Sequence, residues 1–116
     1  MNKTIKKTTD RDLQQIVKKA PSNIHGNGLF ALLDFEKDQY IGTYAGIQTT
    51  ENDTYVLWVY DDNDEANALA VDGKNLLRYL NHSKKPNTVF YDFDLYANRA
   101  IKQGEELCFD YGETPD

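Results

Sequence analysis

The stretch RYLNHSKKPN, residues 78–87, interrupts an aliphatic segment with a polar Asn-His pair, two lysines and a proline. The leucines of KNLLRYL, residues 74–80, recur at helical spacing, so we predict a short helix there. Asn81 and His82 follow it directly, and their side chains carry donors and acceptors that could read the edge of a heterocyclic ligand. A helix C-terminal cap with a surface histidine is the alternative, and Asn81-His82-Ser83 also fits a glycosylation acceptor.

A second informative stretch, EELCFDY at residues 105–111, alternates between apolar and polar side chains. This alternation predicts a strand, because successive side chains of a strand point to opposite faces. The two faces carry Leu107, Phe109 and Tyr111 on one side and Glu106, Cys108 and Asp110 on the other. A thiol on the polar face of a strand is more often inert than reactive, so Cys108 is assigned no role.

Elsewhere, short apolar runs alternate with turn residues, which predicts a mostly β chain. The predicted strands lie at residues 16–19, 28–33, 40–46, 54–60, 66–73, 88–93 and 95–101, the last two forming a hairpin around Asp92 to Asp94. Residues 54–60 are apolar on both alternating faces, which is typical of a strand buried on both sides. The acidic residues 61–65 are interpreted as a solvated turn, since they lack the glycine and the distal glutamate of a calcium loop.

The chain of 116 residues is long enough for one hydrophobic core and too short for two. Residues 1–14 are polar and mixed in charge, so we predict an N-terminal tail there and a single domain over residues 15–116. No apolar run approaches the roughly 20 residues that span a bilayer, and the first residues have no signal-peptide pattern. We therefore expect an intracellular protein with no membrane partner.

The charge balance is acidic, with 13 Lys and Arg residues against 19 Asp and Glu residues and a net charge of −6. A general nucleic-acid binder needs a basic surface that displaces counterions from phosphates, so direct nucleic-acid binding is not expected. The negative charge fits attraction to a basic partner, or it serves solubility alone. One cysteine and two histidines argue against a metal site built on Cys or His ligands.

Two loops contain glycines beside residues able to contact a ligand. His25-Gly26-Asn27-Gly28 is a Gly-x-Gly turn, and glycines let a ligand approach bare backbone amides, although a plain tight loop has the same pattern. Tyr44-Ala45-Gly46 ends a predicted strand, and a core tyrosine before a turn is its alternative interpretation. The chain has no P-loop, no complete dinucleotide fingerprint and no nucleophile elbow.

Taken together, these motifs resemble the SET-domain family of protein lysine methyltransferases. The matching segments are GNGLFA (26–31), YAG (44–46), RYLNHSKKPN (78–87) and GEELCFDY (104–111), in that order. The resemblance covers residues 16–112, and its last two motifs are the specific ones. It implies a SET-domain fold of several small twisted sheets, one or two short helices and a knot-like core. The short stretch between the second and third motifs resembles compact viral or bacterial members, which leaves the cytoplasm and a host nucleus as expected locations.

The same resemblance implies that the protein binds S-adenosylmethionine. The cofactor contacts that it implies are His25, Gly26, Asn27, Gly28, Tyr55, Asn81 and His82. Lys84 stands where relatives often carry a zinc-ligating cysteine, so no zinc is expected. Closure of the site is left to a partner subunit, to the substrate or to the N-terminal tail.

The resemblance also implies where methyl transfer occurs. Tyr44 would line a lysine channel, and Tyr111 would be the catalytic tyrosine. Phe109 would occupy the position that controls the number of methyl groups, and a phenylalanine there predicts di- or trimethylation. The chemistry itself needs no metal: a lysine amine has a pKa of about 10.4 in water, and a narrow apolar channel beside a sulfonium lowers it. Alignment of the amine with the methyl group could supply much of the rate, about 7–11 kcal/mol at the well-oriented limit.

The sequence therefore favours a protein-lysine N-methyltransferase that depends on S-adenosylmethionine. Its expected substrate is a basic protein segment such as a histone or histone-like tail. A non-catalytic SET-fold module that binds the cofactor or a basic peptide is the alternative, and a structural domain that docks a basic partner is a third. A homodimer is left open.

Overall fold

The computed structural model describes residues 6–50, 55–61 and 64–110, with the backbone alone at residues 60, 61 and 64–69. Its elements are α1 (Asp10–Leu13), β1 (Val17–Pro21), β2 (Asn27–Ala31), β3 (Tyr40–Thr43), β4 (Gly46–Thr49), β5 (Val56–Asp61), β6 (Asp64–Gly73), a 3-10 helix (Leu76–Tyr79), β7 (Asn81–His82), β8 (Thr88–Tyr91), β9 (Asp94–Ala97) and β10 (Glu106–Phe109). The predicted mostly β fold is confirmed.

The strands of the described residues form three small sheets. Their orders are β1-β2-β10-β7, β3-β9-β8 and β4-β6-β5. The pair β10 and β7 is parallel, whereas the other strand pairs are antiparallel. In that parallel pair Phe109 faces His82, and the Ser83 amide donates to the Phe109 carbonyl at 3.0 Å. The two specific motifs, distant in sequence, therefore lie side by side in the centre of the fold.

The hydrophobic core lies where the 3-10 helix and α1 pack between the sheets. Its fully buried side chains include Leu13, Val17, Leu29, Phe35, Ile41, Leu77, Leu95, Ile101 and Leu107. Burying an aliphatic side chain of this kind contributes about 1.5–3 kcal/mol to the free energy of folding. These residues come from both helices and from strands of two of the three sheets, so the core fixes the relative positions of these elements.

The hairpin predicted around Asp92 to Asp94 is present as β8 and β9. Thr88 pairs with Ala97 and Tyr91 with Asp94, and Asp92 occupies the left-handed region at φ 54° in the turn. Asp tolerates this conformation better than most residues, because its short polar side chain hydrogen-bonds locally. The observed boundaries are shorter than the predicted runs by two residues at the turn and by four at the end of β9.

Three local predictions were wrong. The strand predicted at residues 54–60 is not buried on both sides where it is described: the side chains at residues 56–59 are only partly buried, and Tyr55 is 40% exposed. The predicted helix over residues 74–80 is a single 3-10 turn, because the backbone extends at Leu80 to enter β7. Cys108 is buried rather than on a polar surface, since Asn87 lies against it and accepts a hydrogen bond from the Cys108 amide at 2.9 Å.

The described part of the N-terminal segment contacts the rest of the chain from Lys6 onward. The Thr43 amide donates to the Lys7 carbonyl at 2.9 Å, and the Asn75 side-chain amide donates to the Thr8 carbonyl at 2.9 Å. Leu13 is fully buried. The boundary between tail and domain at residue 14 stays a prediction. None of the helices in the described ranges is long and apolar enough to cross a membrane.

Candidate active site

A cleft of about 540 Å³ opens beside the parallel strand pair. Its walls are the loop before β2, the end of the 3-10 helix and β7. The lining residues are Ile24, His25, Gly26, Asn27, Tyr55, Arg78, Tyr79, Leu80, Asn81 and His82. Clefts that hold a drug-sized ligand measure roughly 300–1,000 Å³, so this one is large enough for a nucleoside cofactor.

The Asn81 side chain forms hydrogen bonds with the loop that forms one wall of the cleft. Its amide nitrogen lies near the carbonyl oxygens of His25 at 3.0 Å and Asn27 at 3.2 Å, and near Glu106 Oε2 at 2.9 Å. An amide has two N–H donors, so these acceptors already use both. The structure thus shows Asn81 binding the protein's own loop. Its predicted contact with a cofactor stays a prediction.

Glu106 is the residue that the sequence did not single out. Its carboxylate accepts from the Ser22 hydroxyl at 2.7 Å and from the Asn81 amide, and Ser22 Oγ in turn accepts from the Ile24 amide at 2.9 Å. We call Glu106, Ser22 and Asn81 the Glu106 network. It joins β10, the loop before β2 and β7, which are three segments far apart in sequence. Alternation placed Glu106 on a polar face but cannot indicate what that face contacts.

The two glycines of the loop are required for different reasons. Gly26 has a φ of 47°, a left-handed conformation that L side chains rarely adopt, and its carbonyl accepts from the Ser22 amide at 2.8 Å. At Gly28 a Cβ atom would lie 2.2 Å from Glu106 Oε2. Gly26 therefore makes the turn, whereas Gly28 makes room for the Glu106 network.

His82 lies at the junction of the cleft and β10. Its Nδ1 is 3.8 Å from Asp110 Oδ1, and both side chains are partly exposed. A charge-charge interaction at this distance forms only when the imidazole is protonated. His82 lines the cleft, and its predicted contact with a cofactor stays a prediction.

A second, narrow cavity of about 20 Å³ adjoins the cleft. Its lining residues are Tyr44, Tyr55, Val56, Leu57, Leu77, Arg78, Leu80, Phe90 and Phe109. The Phe90 ring meets Tyr44 edge-to-face with centroids 5.8 Å apart and Phe109 with centroids 5.2 Å apart. We call this cavity the aromatic tunnel. Tyr55, Arg78 and Leu80 line both the cleft and the tunnel, so these three residues form a shared wall.

Tyr44 builds the tunnel through its hydroxyl. That hydroxyl donates to the Tyr55 carbonyl at 2.5 Å, and its ring packs so closely on Gly73 that a Cβ there would lie 2.3 Å from the hydroxyl oxygen. The tyrosine side chain thus fixes the start of β5 against β6. The sequence predicted Tyr44 as a channel residue, and the structure places it in the tunnel wall.

Arg78 brings a positive charge to the shared wall. Its Nη2 donates to the Tyr79 hydroxyl at 2.6 Å, and the guanidinium lies 5.5 Å from the Tyr55 ring centroid and 4.8 Å from that of Tyr79. The hydrogen bond from Arg78 lowers the pKa of Tyr79, and the same bond raises the pKa of Arg78. The charge disfavours a second cation in the adjoining tunnel.

The structure thus brings together most of the predicted site residues. His25, Gly26, Asn27, Tyr55, Asn81 and His82 line the cleft, Tyr44 and Phe109 line the tunnel, and Gly28 lies behind the loop against Glu106. Tyr111, the predicted catalytic tyrosine, lies outside the described residues. Within the described ranges no group of three or more His, Cys, Asp or Glu side chains could hold a metal ion.

Comparison with known proteins assigns the family. The model of the SET domain family matches residues 26–112, about three quarters of the chain. The chain belongs to the SET-domain family. This SET domain is similar to the histone-lysine N-methyltransferase MEDEA of Arabidopsis thaliana, with 31% identity over 82% of this chain and 16% of that protein. It is also similar to the histone-lysine N-methyltransferase mes-2 of Caenorhabditis elegans, with 31% identity over 78% of this chain and 14% of that protein.

A solved structure supports the fold. The methyltransferase domain of the human histone-lysine N-methyltransferase SETMAR superposes with a TM-score of 0.71 and 24% identity, over 82% of this chain and 44% of that chain. At this identity the likeness shows the fold alone. The family match and the two relatives place the chain in the SET-domain family, and the solved structure supports the fold. The chain spans less than a fifth of the length of either relative.

Proposed function

We propose that this SET domain is a protein-lysine N-methyltransferase that takes its methyl group from S-adenosylmethionine. The observation that supports this most is the shared wall of Tyr55, Arg78 and Leu80 between the cleft and the aromatic tunnel. A methyl donor in the cleft and a lysine amine in the tunnel would meet where the two cavities adjoin, beside these three residues. A binding module that only holds a cofactor has no need of an adjoining tunnel.

The residues of the cleft fit the proposed cofactor. Bare backbone at Gly26 allows close approach of a ligand, and the aromatic ring of Tyr55 offers an apolar surface for it. Asn81 and His82 line the cleft beside this loop, and the Glu106 network holds the Asn81 side chain in place. When bound, S-adenosylmethionine supplies a methyl group on a positively charged sulfur. The protein's task is to hold that methyl group toward the tunnel.

The tunnel would prepare the lysine as a nucleophile. Its walls at Leu77, Leu80, Phe90 and Phe109 are apolar and disfavour the ammonium form. Arg78 adds a nearby positive charge, which acts in the same direction. Both effects lower the pKa of a bound lysine from its usual value of about 10.4, so more of it is neutral and able to attack the methyl carbon.

Two further roles are part of the proposal. Tyr111 would place its hydroxyl near the reacting nitrogen, and Phe109, which lies in the tunnel wall beside Phe90, would leave space for a second or third methyl group. The substrate would be a basic segment such as a histone tail. The net charge of −6 and the names of the relatives support a basic target. An intracellular location, a homodimer and the absence of direct nucleic-acid binding stay predictions.

The decisive experiment is a transfer assay with labelled S-adenosylmethionine on a panel of core histones and other basic proteins. Wild-type protein is expected to label at least one of them. Tyr111→Phe is expected to abolish transfer while the cofactor Kd, measured by calorimetry, stays within several-fold. Cofactor binding without transfer to any member of the panel would favour the non-catalytic module, and no cofactor binding would refute the methyltransferase.

A further inference from the structure

The outer face of the sheet β3-β9-β8 carries three tyrosines in ring-to-ring contact. Tyr40 pairs with Tyr96 across β3 and β9, with ring centroids 5.7 Å apart. Tyr91 contacts Tyr96 diagonally across β9 and β8 at 5.6 Å, and Tyr91 is 64% exposed. We call Tyr40, Tyr96 and Tyr91 the tyrosine ladder. It is not part of the cleft or of the tunnel, and neither the proposed cofactor nor the target lysine uses it.

One carboxylate lies on the face of the ladder, and a second is exposed in the adjoining turn. Asp94 stands directly opposite Tyr91 in the strand register, so both side chains point to the same face. Its Oδ1 accepts from the Thr43 hydroxyl at 2.7 Å, which orients it. Asp92 is exposed in the turn between β8 and β9. Aromatic faces beside carboxylates are the chemistry that recognises lysine and arginine side chains.

Two lysines of the chain already bind there. Lys6 Nζ lies 3.2 Å from Asp94 Oδ1, and Lys7 Nζ lies 5.6 Å from the centroid of the Tyr40 ring. The Lys6 side chain is 59% exposed, and exposed pairs of this kind contribute little to the free energy of folding. A stronger or multivalent lysine ligand could therefore displace Lys6.

The ladder begins next to the tunnel. Phe90 lines the tunnel and Tyr91 follows it on β8, the edge strand of its sheet. The two Cα atoms of consecutive residues are about 3.8 Å apart, and their side chains point to opposite faces. A peptide that crosses the edge of β8 would thus connect the tunnel side of the sheet with the ladder.

We propose that the tyrosine ladder, with Asp92 and Asp94, is a docking surface for a lysine-rich segment of the protein substrate. This segment lies outside the lysine that enters the tunnel. The proposal rests on the proposed function for the identity of the partner. Lys6 and Lys7 show the binding mode: one ammonium pairs with the carboxylate and the next lies near an aromatic ring.

The test measures fluorescence anisotropy of labelled decalysine with the full chain and no methyl donor. Tyr91→Ala is expected to weaken binding about two- to fivefold, the size of an exposed cation–π contact. Tyr91→Phe keeps the ring and is expected to bind like wild type. Leu33→Ala removes another exposed apolar side chain, and its binding should be unchanged. Equal binding by Tyr91→Ala and Leu33→Ala would overturn the proposal.

Charge-matched variants separate docking from general attraction to an acidic protein. Asp92→Asn and Asp12→Asn each remove one exposed negative charge and change the net charge equally. We expect Asp92→Asn to weaken decalysine binding more than Asp12→Asn does. Lys6→Ala is expected to bind decalysine more tightly than Lys37→Ala, because Lys6 no longer competes for Asp94. Identical affinities within both pairs would contradict the proposal. Thermal melts confirm that each variant is folded.

The outcome is separable from that of the proposed function, because binding is measured without methyl transfer. Weakened decalysine binding in ladder variants of a chain that labels no basic protein would leave the docking surface standing and refute the methyltransferase. Methyl transfer by wild type together with unchanged decalysine binding in the ladder variants would support the methyltransferase and refute the docking surface. If Tyr91→Ala instead converted a dimer into a monomer on sedimentation, the ladder would be a contact between copies of the chain and the docking proposal would be wrong.

Discussion

The cleft and the aromatic tunnel adjoin each other, but different interactions stabilise their walls. The cleft wall depends on directed hydrogen bonds to a single carboxylate, Glu106, from segments far apart in sequence. The tunnel wall depends on edge-to-face ring packing around Phe90. A hydrogen-bonded wall fails when one partner is lost, because the others are left unsatisfied. A wall of packed rings instead changes shape gradually. We therefore expect mutations at the cleft to change the cofactor Kd and mutations at the tunnel to change kcat.

The largest effect is expected at the carboxylate. Glu106→Ala removes the acceptor of both Ser22 and Asn81, and hydrogen bonds to a charged group contribute about 1.5–3 kcal/mol each. We expect the Kd for S-adenosylmethionine to rise by about tenfold to a hundredfold, as measured by calorimetry. Glu106→Gln keeps one acceptor oxygen, so its Kd should lie between those of Glu106→Ala and wild type.

The neighbouring carboxylate provides the control. Glu105 pairs with Arg99 at 3.2 Å and accepts from the Lys102 amide, away from the cleft, and these bonds lower its pKa. Glu105→Gln should leave the cofactor Kd unchanged. Equal loss of affinity in both variants would mean that Glu106 acts through general stability rather than by holding the cleft wall.

A substitution behind the tunnel is expected to act on turnover instead. Gly73→Ala would place a methyl group 2.3 Å from the Tyr44 hydroxyl oxygen, so the ring must move and its bond to Tyr55 must break. We expect kcat for methyl transfer to fall by about tenfold, since misplacement of a wall residue by about 1 Å can cost up to a hundredfold. Tyr44→Phe loses only the hydroxyl and should cost less. A rise in cofactor Kd without a change in kcat would contradict the division between the two cavities.

A subtler effect is expected inside the tunnel. Phe109→Tyr adds a hydroxyl to a ring that packs against Phe90, and this occupies space needed by a larger methylated amine. Mass spectrometry of a substrate peptide after exhaustive turnover should show fewer methyl groups per lysine than wild type, with an unchanged cofactor Kd. An unchanged methylation number would refute the role predicted for Phe109.

The smallest effect concerns ionisation at the shared wall. Arg78 lowers the pKa of Tyr79 chiefly through its hydrogen bond, and an acid whose pKa is lowered by folding contributes stability above its unfolded pKa that is lost as pH falls. The contribution is therefore lost as the pH falls from the unfolded pKa of about 10 through the lower pKa of folded Tyr79. In ultraviolet titration Arg78→Met should move the Tyr79 transition to higher pH, with Tyr79→Phe identifying that transition. An unmoved transition would mean that Arg78 does not act on this phenol.

The sequence predicted the elements whose side-chain patterns are local. The hairpin of β8 and β9 followed from two apolar runs around a turn, and the cleft loop followed from its glycines. Burial that depends on contacts with segments distant in sequence could not be predicted from the local pattern. Residues 54–60 are apolar on both faces in the sequence, yet the side chains at residues 56–59 are only partly buried, and Val56 and Leu57 line the tunnel.

The Glu106 network was missed for a related reason. Ser22 and Glu106 are 84 positions apart, and no periodicity in either segment indicates that they meet. The same holds for Cys108, which alternation placed on a polar face although Asn87 from another segment covers it. The family resemblance, by contrast, singled out both RYLNHSKKPN and GEELCFDY, which the structure pairs as β7 and β10, a long-range contact that local patterns do not encode.

The central claim is that a methyl donor in the cleft faces an amine in the aromatic tunnel across Tyr55, Arg78 and Leu80. A crystal structure with S-adenosylhomocysteine, the demethylated product, tests it most directly. The account predicts that the ligand lies between the loop of residues 24–27 and β7, with its sulfur directed at the mouth of the tunnel beside Leu80. A ligand bound elsewhere, or with its sulfur turned away from the tunnel, would contradict the account.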